Sequence, residues 1–405
     1  MFGVLTLVLV MLIWALVARR LARFSITSAT FLVIVGIVLT AGSHPPIRIE
    51  LDTKIVERLV EVTLAILLFV DATEVPQRML GRERGVLVRL LAIALPISLV
   101  LAWGAGFALF SERDAWLLAV LAIIVVPVDL APAVAVVRDK RVPARLRDIM
   151  NVEAGLNDGI AAPLFLFCVA GATAKHAPAL EALEAAVPAI LVAIGVGVGT
   201  GLIGALSLGW ALRRDWTEPS ALRLGVFALP LTAYTLAFGL GGNGFVAAFV
   251  AGVIFAIRDH DLPAPSLQLT EDIGTLLALC VWFVFGRAVN QVFGAGVSFS
   301  VVIYAVVALT VVRIVPVLLA LHGTTITRLE AVFIGWMGPR GLASLVFGLL
   351  AVIELHGSPS SLAARVMVIT VLLSVIVHGL TAGPIGAAFG KRSAVQSRAA
   401  TRTPM

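Results

Sequence analysis

The sequence predicts an all-α polytopic membrane protein of about thirteen transmembrane helices, and three observations predict it. Of its 405 residues, 60% are hydrophobic and only 13% are charged, with a mean hydropathy of +1.06, too apolar for a soluble domain of that length. Apolar runs long enough to cross about 30 Å of hydrocarbon as helix recur from the first residues almost to the last. These runs are continuous and do not alternate every second residue, which argues against a transmembrane β-barrel.

In order, the expected spans cover 2–18, 25–42, 56–73, 86–110, 114–137, 149–172, 183–212, 220–239, 242–257, 272–294, 297–321, 329–355 and 362–389. The eighth and ninth are separated only by Gly-Leu-Gly-Gly at 239–242. Arg19, Arg20 and Arg23 follow the first span and no basic residue precedes it, the reverse of a cleavable signal peptide. Cys168 and Cys280 fall within spans, where they are expected to pack as small residues and not to form a disulfide. Segments near 173–182 and 258–271 read as connectors, and the tail from Gly390 as short and irregular. With no extramembrane domain expected, function falls to the bundle.

A sequence pI near 10 invites a nucleic-acid partner, but the placement of the charges argues otherwise. One set of alternate loops holds Arg19, Arg20, Arg23, Arg78, Arg82, Arg84, Arg89, Arg138, Lys140, Arg141, Arg145, Arg147, Arg213, Arg214, Arg223, Arg258 and Arg328, and the tail adds Lys391, Arg392, Arg398 and Arg402. The other set holds only Arg48, Lys54, Arg58, Arg113, Lys175 and Arg365. The positive-inside rule then puts the N-terminus outside and the C-terminus in the cytoplasm. The expected location is a bacterial inner or plasma membrane, crossed many times, with the lipid bilayer as partner and no nucleic acid.

Charges inside spans carry the functional signal, because each costs about 2.5–3.5 kcal/mol at a helix centre on insertion scales. Asp129 lies in "VVPVDLAPAV", between Pro127 and Pro132. Each proline removes a backbone donor, so span five is expected to break there, and a break survives in lipid only where it is buried or lines a cavity. Carbonyls freed beside Asp129 would form an oxygen-rich corner suited to Na⁺, K⁺ or Li⁺. A second break is expected in span twelve at "GWMGPRGLAS", around Gly338, Pro339, Arg340 and Gly341. The two spans run in opposite senses, the signature of an inverted repeat whose discontinuous helices cross at the midplane.

Between them lies "NVEAGLNDGIAAP" (151–163). On a helix, Asn157 follows Glu153 by one turn and Asp158 follows Ala154 by one turn, giving a Glu/Asn edge and an Asp edge about 100° apart. Such a helix can face a bundle partner on one edge and a cavity on the other. Glu153 reads as half of a buried ion pair with Arg340, because an unpaired guanidinium at that depth is costly. Arg313 has no evident partner and reads as structural; Asp71 reads as interfacial and His378 as packing. "GGNGF" at 241–245 is a weak phosphate loop without a soluble strand and helix around it and reads better as a helix break.

Together, "PVDLAPAVAVVRDKRVPARLRDIMNVEAGLNDGIAAPLF" (127–165), "GGNGFVAAFVAGVIF" (241–255) and "GWMGPRGLASLVF" (335–347) resemble the monovalent cation/proton antiporter family, of the NhaP and mammalian sodium/proton exchanger type. The resemblance implies a single transmembrane transporter domain over 1–390 and a cytoplasmic tail at 391–405. The core would include 86–172 and 297–389, and the remaining helices would form the dimerisation domain of a homodimer. It implies Asp158 as the ion- and proton-binding carboxylate, Asn157 as the other member of an Asn-Asp pair, Asp129 as the acid of the broken helix, and Glu153 with Arg340 as the ion pair. The Asn-Asp pair implies electroneutral exchange. Two departures bear on selectivity: Val128 stands where the family usually writes Thr, and Ala154 where it writes Ser, so two hydroxyls near the site are missing.

The expected activity is therefore exchange of a monovalent cation, sodium foremost, for a proton by alternating access, with the two competing for Asp158. Such exchange needs no ATP or redox cofactor and no catalytic residue. An uncoupled cation channel would use the same acids. An intramembrane aspartyl protease would also need Asp129 and Asp158, but its Gly-x-Gly-Asp motif is not met by Gly155-Leu156-Asn157-Asp158.

Overall fold

The computed structural model describes residues 2–400 except 23–25, 43–44, 48, 52, 75–82, 112–113, 134–135, 137–138, 174–178 and 259–263. Basic loop residues Arg23, Arg48, Arg78, Arg82, Arg113, Arg138, Lys175 and Arg402 therefore lie outside the described residues, as does half of the 173–182 connector.

The described residues form helices and no strand. In chain order these are α1 (Phe2–Ala22), α2 (Ser28–Thr40), α3 (Lys54–Thr73), α4 (Arg84–Leu109), α5 (Ala115–Val125), α6 (Ala144–Thr173) and α7 (Ala179–Arg213). They continue as α8 (Pro219–Gly239), α9 (Gly244–Arg258), α10 (Gln268–Ala295), α11 (Phe299–Ala320), α12 (Arg328–Trp336), α13 (Leu342–Glu354) and α14 (Ser358–Ala400). Among the described residues, seven helices are long and apolar enough to cross a membrane, and four more are shorter apolar helices. Cys168 and Cys280 are both free.

Local chemistry sets the ends. Asp114 caps α5 through the Trp116 and Leu117 amides at 2.8 and 3.2 Å, and Thr327 with Glu330 forms a capping box on α12. Asn243 caps α9 through Phe245 and Val246, and Gly241 has φ +75°, so "GGNGF" is the tight joint between α8 and α9. Pro96, which lacks an amide hydrogen, follows a single π turn at Leu90–Ala94 inside α4. Two boundaries differ most from expectation. The helix expected from 149 begins at Ala144, and the tail expected to be irregular from Gly390 stays helical to Ala400.

The helices pack in two groups. In one, α7 lies along α9, α9 along α3 and α8, and α2 along α10. In the other, α4, α5, α6, α11, α12, α13 and α14 pack around the two interruptions, 126–130 between α5 and a short turn at Ala131–Ala133 and 337–341 between α12 and α13. α3, α7, α9 and α10 meet the second group along α6, α13 and α14.

In an apolar solvent helices associate by close approach, not by hydrophobic exclusion, so small residues mark the contacts. Gly36 of α2 and Gly286 of α10 oppose each other, and a Cβ on either would run into the other helix's backbone. A Cβ at Gly195 or Gly199 of α7 would meet nothing. Gly286→Ala is therefore expected to destabilise the protein by about 1–3 kcal/mol through overpacking, while Gly195→Ala is neutral or gains up to about 1 kcal/mol in helix propensity. Thermal unfolding of the two variants in detergent checks the difference.

Candidate functional site

The interruption after α5 begins where Pro127 offers no amide to continue the helix. The interruption after α12 begins at Met337 and contains Gly338, Pro339, Arg340 and Gly341. The two segments complete one another. The Asp129 amide donates to the Pro339 carbonyl at 2.9 Å. The Asp129 carboxylate accepts from the Ala131 amide at 2.8 Å and from the Leu342 amide at 2.6 Å. Gly341, the N-cap position of α13, has no side chain to cap the helix, so an aspartate from the other interruption does it, and its charge suits the positive end of the helix dipole. A Cβ on Gly341 would land on that carboxylate, which is why a glycine stands there.

Arg340 is fully buried. Its Nη1 donates to the Val126 and Pro127 carbonyls at 2.6 and 3.2 Å, and its Nη2 to the Ala308 carbonyl at 3.3 Å. α11 kinks at Thr310, two residues beyond that carbonyl, as helices do where a side chain reaches into the ladder. Two expectations are corrected here. Two carbonyls of the first break, those of Val126 and Pro127, are not open to a cation but are held by a guanidinium. And Arg340 is not the partner of Glu153: Arg313 of α11 is, with Nη1 to Oε1 at 2.5 Å and Nη2 to Oε2 at 2.9 Å. Both side chains of that pair are buried, 5% and 2% exposed. The physical reason is local supply. The interruption offers Arg340 carbonyl acceptors that an unbroken helix would withhold, leaving the fork of Arg313 to match the carboxylate in two parallel bonds. Gly338 makes room, because a Cβ there would meet the Arg313 side chain.

α6 presents different edges to different surroundings. Glu153 and Asn157 are both 2% exposed, and the Asn157 Oδ1 accepts no hydrogen bond among the described residues. Asn151, Ala154, Gly155 and Asp158 instead line a cavity of about 300 Å³ together with Asp71, Glu74, Val128, Asp129 and Leu130. The cavity lies between the C-terminal end of α3, the first interruption and the first half of α6. The structure thus brings Asp129 and Asp158 together, leaves Asn157 in the packed interior, and puts Val128 and Ala154, the two missing hydroxyls, on the cavity wall. Asp158 is half-buried, yet its Oδ1 is shielded and accepts no hydrogen bond among the described residues. No basic side chain is among the residues that line the cavity. Among the described residues no three His, Cys, Asp or Glu side chains converge as a metal chelate.

Three side chains had a larger place than the sequence reading gave them. Asp71 is not merely interfacial: it packs where Gly155 offers no Cβ and lines the cavity wall, and that glycine on the facing helix was the available signal. Arg313 balances Glu153, and His378, 1% exposed, bonds the end of α12.

Comparison with known proteins agrees with this geometry. The model of a family described as sodium/hydrogen exchanger, transmembrane, matches residues 5–388. The chain is similar to the Na⁺/H⁺ antiporter ApNhaP of Aphanothece halophytica, 26% identical over 371 residues, covering 86% of this chain and 67% of the relative. It is also similar to the low-affinity Na⁺/H⁺ antiporter NhaS1 of Synechocystis, 25% identical with the same coverage. In fold it resembles the sodium proton antiporter MjNhaP1 of Methanocaldococcus jannaschii, with a TM-score of 0.77 at 19% identity over 96% of this chain and 98% of the other.

The pairing makes a stability prediction. Removing one member of a buried ion pair strands the other at a cost of about 3–5 kcal/mol, while replacing both by apolar residues is far milder. Glu153→Leu should lower the thermal midpoint strongly, Glu153→Leu with Arg313→Met should restore most of it, and Glu153→Leu with Arg340→Met should not.

Proposed function

The chain belongs to the sodium/hydrogen exchanger family, a family of membrane transporters and not of enzymes, and we propose that it exchanges a monovalent cation, sodium foremost, for a proton, one for one, at Asp158. The observation that carries this reading is the Asp158 carboxylate, shielded, with an oxygen that accepts no hydrogen bond among the described residues, on the wall of an acid-lined cavity. A lone carboxylate oxygen removed from water must be compensated, and a proton or a small cation does so equally in charge. Asp129 differs, since its oxygens already accept two backbone amides; its part is to cap α13 and add negative potential to the cavity. Asp71 adds a further carboxylate.

Occupancy by either a proton or a monovalent cation leaves the site with the same charge, which supports electroneutral exchange. The burial of Asn157 away from the cavity is consistent with one titrating group per cycle. Around this site we infer a bundle of thirteen passes in which the interrupted helices cross as an inverted repeat, the group holding the interruptions moves against the other, and that other group carries a homodimer contact. The basic loops support a cytoplasmic C-terminus, so the cavity faces the cytoplasm. Val128 and Ala154 put methyl groups where hydroxyls would ligate a cation, so K⁺ and Li⁺ belong in the same test.

In proteoliposomes holding a pH dye, an imposed gradient of the carried cation should acidify the lumen containing it as that cation leaves and protons enter, alkalinise it when the gradient is reversed, and be indifferent to an imposed voltage. Asp158→Asn should abolish the response. Where protonation dominates, competition predicts that the half-saturating cation concentration rises about tenfold for each unit fall in pH. Cation flux without proton movement would point to an uncoupled channel instead.

A further inference from the structure

The transport reading leaves His378 without a part, although it is a titratable group 1% exposed on α14. Its Nε2 lies 3.0 Å from the carbonyl of Trp336, the last residue of α12. Its Nδ1 lies 3.2 Å from the Ser374 hydroxyl, and that hydroxyl accepts the Arg340 amide at 2.6 Å. Nδ1 is also 3.1 Å from the Ser374 carbonyl. With the hydrogen on Nε2 the neutral ring donates to the Trp336 carbonyl, and Nδ1 is then an acceptor that bonds the Ser374 hydroxyl and makes no bond to the Ser374 carbonyl. The Ser374 hydroxyl, having accepted from Arg340, has its own hydrogen to give to Nδ1. One turn of α14 is thereby tied to both lips of the interruption, before it at Trp336 and after it at Arg340.

We propose that His378 and Ser374 are positioning residues for the ion site, fixing the span of the 337–341 interruption and, through it, the placement of Arg340 against the Val126 and Pro127 carbonyls and of the Leu342 amide against Asp129. This rests on the reading of the cavity as the exchange site. Neither residue lines the cavity, so their loss acts by letting the interruption relax.

The test compares His378→Leu, which removes both bonds, His378→Gln, whose amide nitrogen can take the place of Nε2, and Ser374→Ala, each normalised to folded protein by size exclusion. Loss of buried hydrogen bonds should raise the half-saturating cation concentration about tenfold in His378→Leu and Ser374→Ala with maximal rate within about twofold, and Gln should recover to within about threefold of wild type. In hydrogen–deuterium exchange, peptides covering 337–342 should exchange faster in the Leu and Ala variants than in wild type or Gln. Unchanged half-saturation, a Gln variant as impaired as Leu, or unchanged exchange would each overturn the proposal. The exchange measurement does not depend on transport, so if the wild type moves no cation the functional reading falls while the brace is still decided. Should His378→Leu fail to fold, Ser374→Ala alone decides.

Discussion

Inside a bilayer a broken helix exposes amides and carbonyls that no water can satisfy, and each costs several kcal/mol if left unpaired. The arrangement of this protein follows from how two such interruptions meet that demand together. The second segment donates the Leu342 amide to Asp129 and a guanidinium to the carbonyls of Val126 and Pro127; the first donates the Asp129 amide to Pro339. Each break is stable because the other is there. The surrounding packing serves this exchange: Gly338 and Gly341 admit side chains from neighbouring elements, and Ser374 and His378 brace the outside.

A consequence is a division of labour among acids that look alike in sequence. Asp129 is held by backbone amides and Glu153 by Arg313. Asp158 keeps an oxygen that the described protein does not satisfy. A carboxylate spent on structure has little left to exchange, whereas one held short of compensation is free for the exchange proposed above. The site's chemistry is thus defined as much by which acids are already engaged as by which are present.

Much of this was legible in the sequence because its signals are local. Pro127, Pro132, Gly338 and Pro339 mark the interruptions wherever the chain goes, and the spacing of Glu153, Asn157 and Asp158 separates two edges of a helix without knowing its neighbours. What could not be read was pairing across helices. Two arginines at similar depth competed for one glutamate, and the choice turned on carbonyls that exist as acceptors only once the first interruption meets the second. Asp71 faces inward because of where α3 lies against Gly155, a packing relation with no trace in its own neighbourhood. His378 sits in an apolar run that says burial and nothing more; its partners are 4 and 42 residues away.

The central claim, that one carboxylate holds either a cation or a proton, is tested most directly by counting protons at binding. Calorimetric titration of purified protein with the carried cation, at one pH in two buffers of different ionisation enthalpy, gives the number of protons released per cation bound. At a pH where Asp158 is protonated, the account predicts one proton released per cation in wild type and neither binding nor release in Asp158→Asn. Binding without proton release, or equal release from the Asn variant, would contradict it.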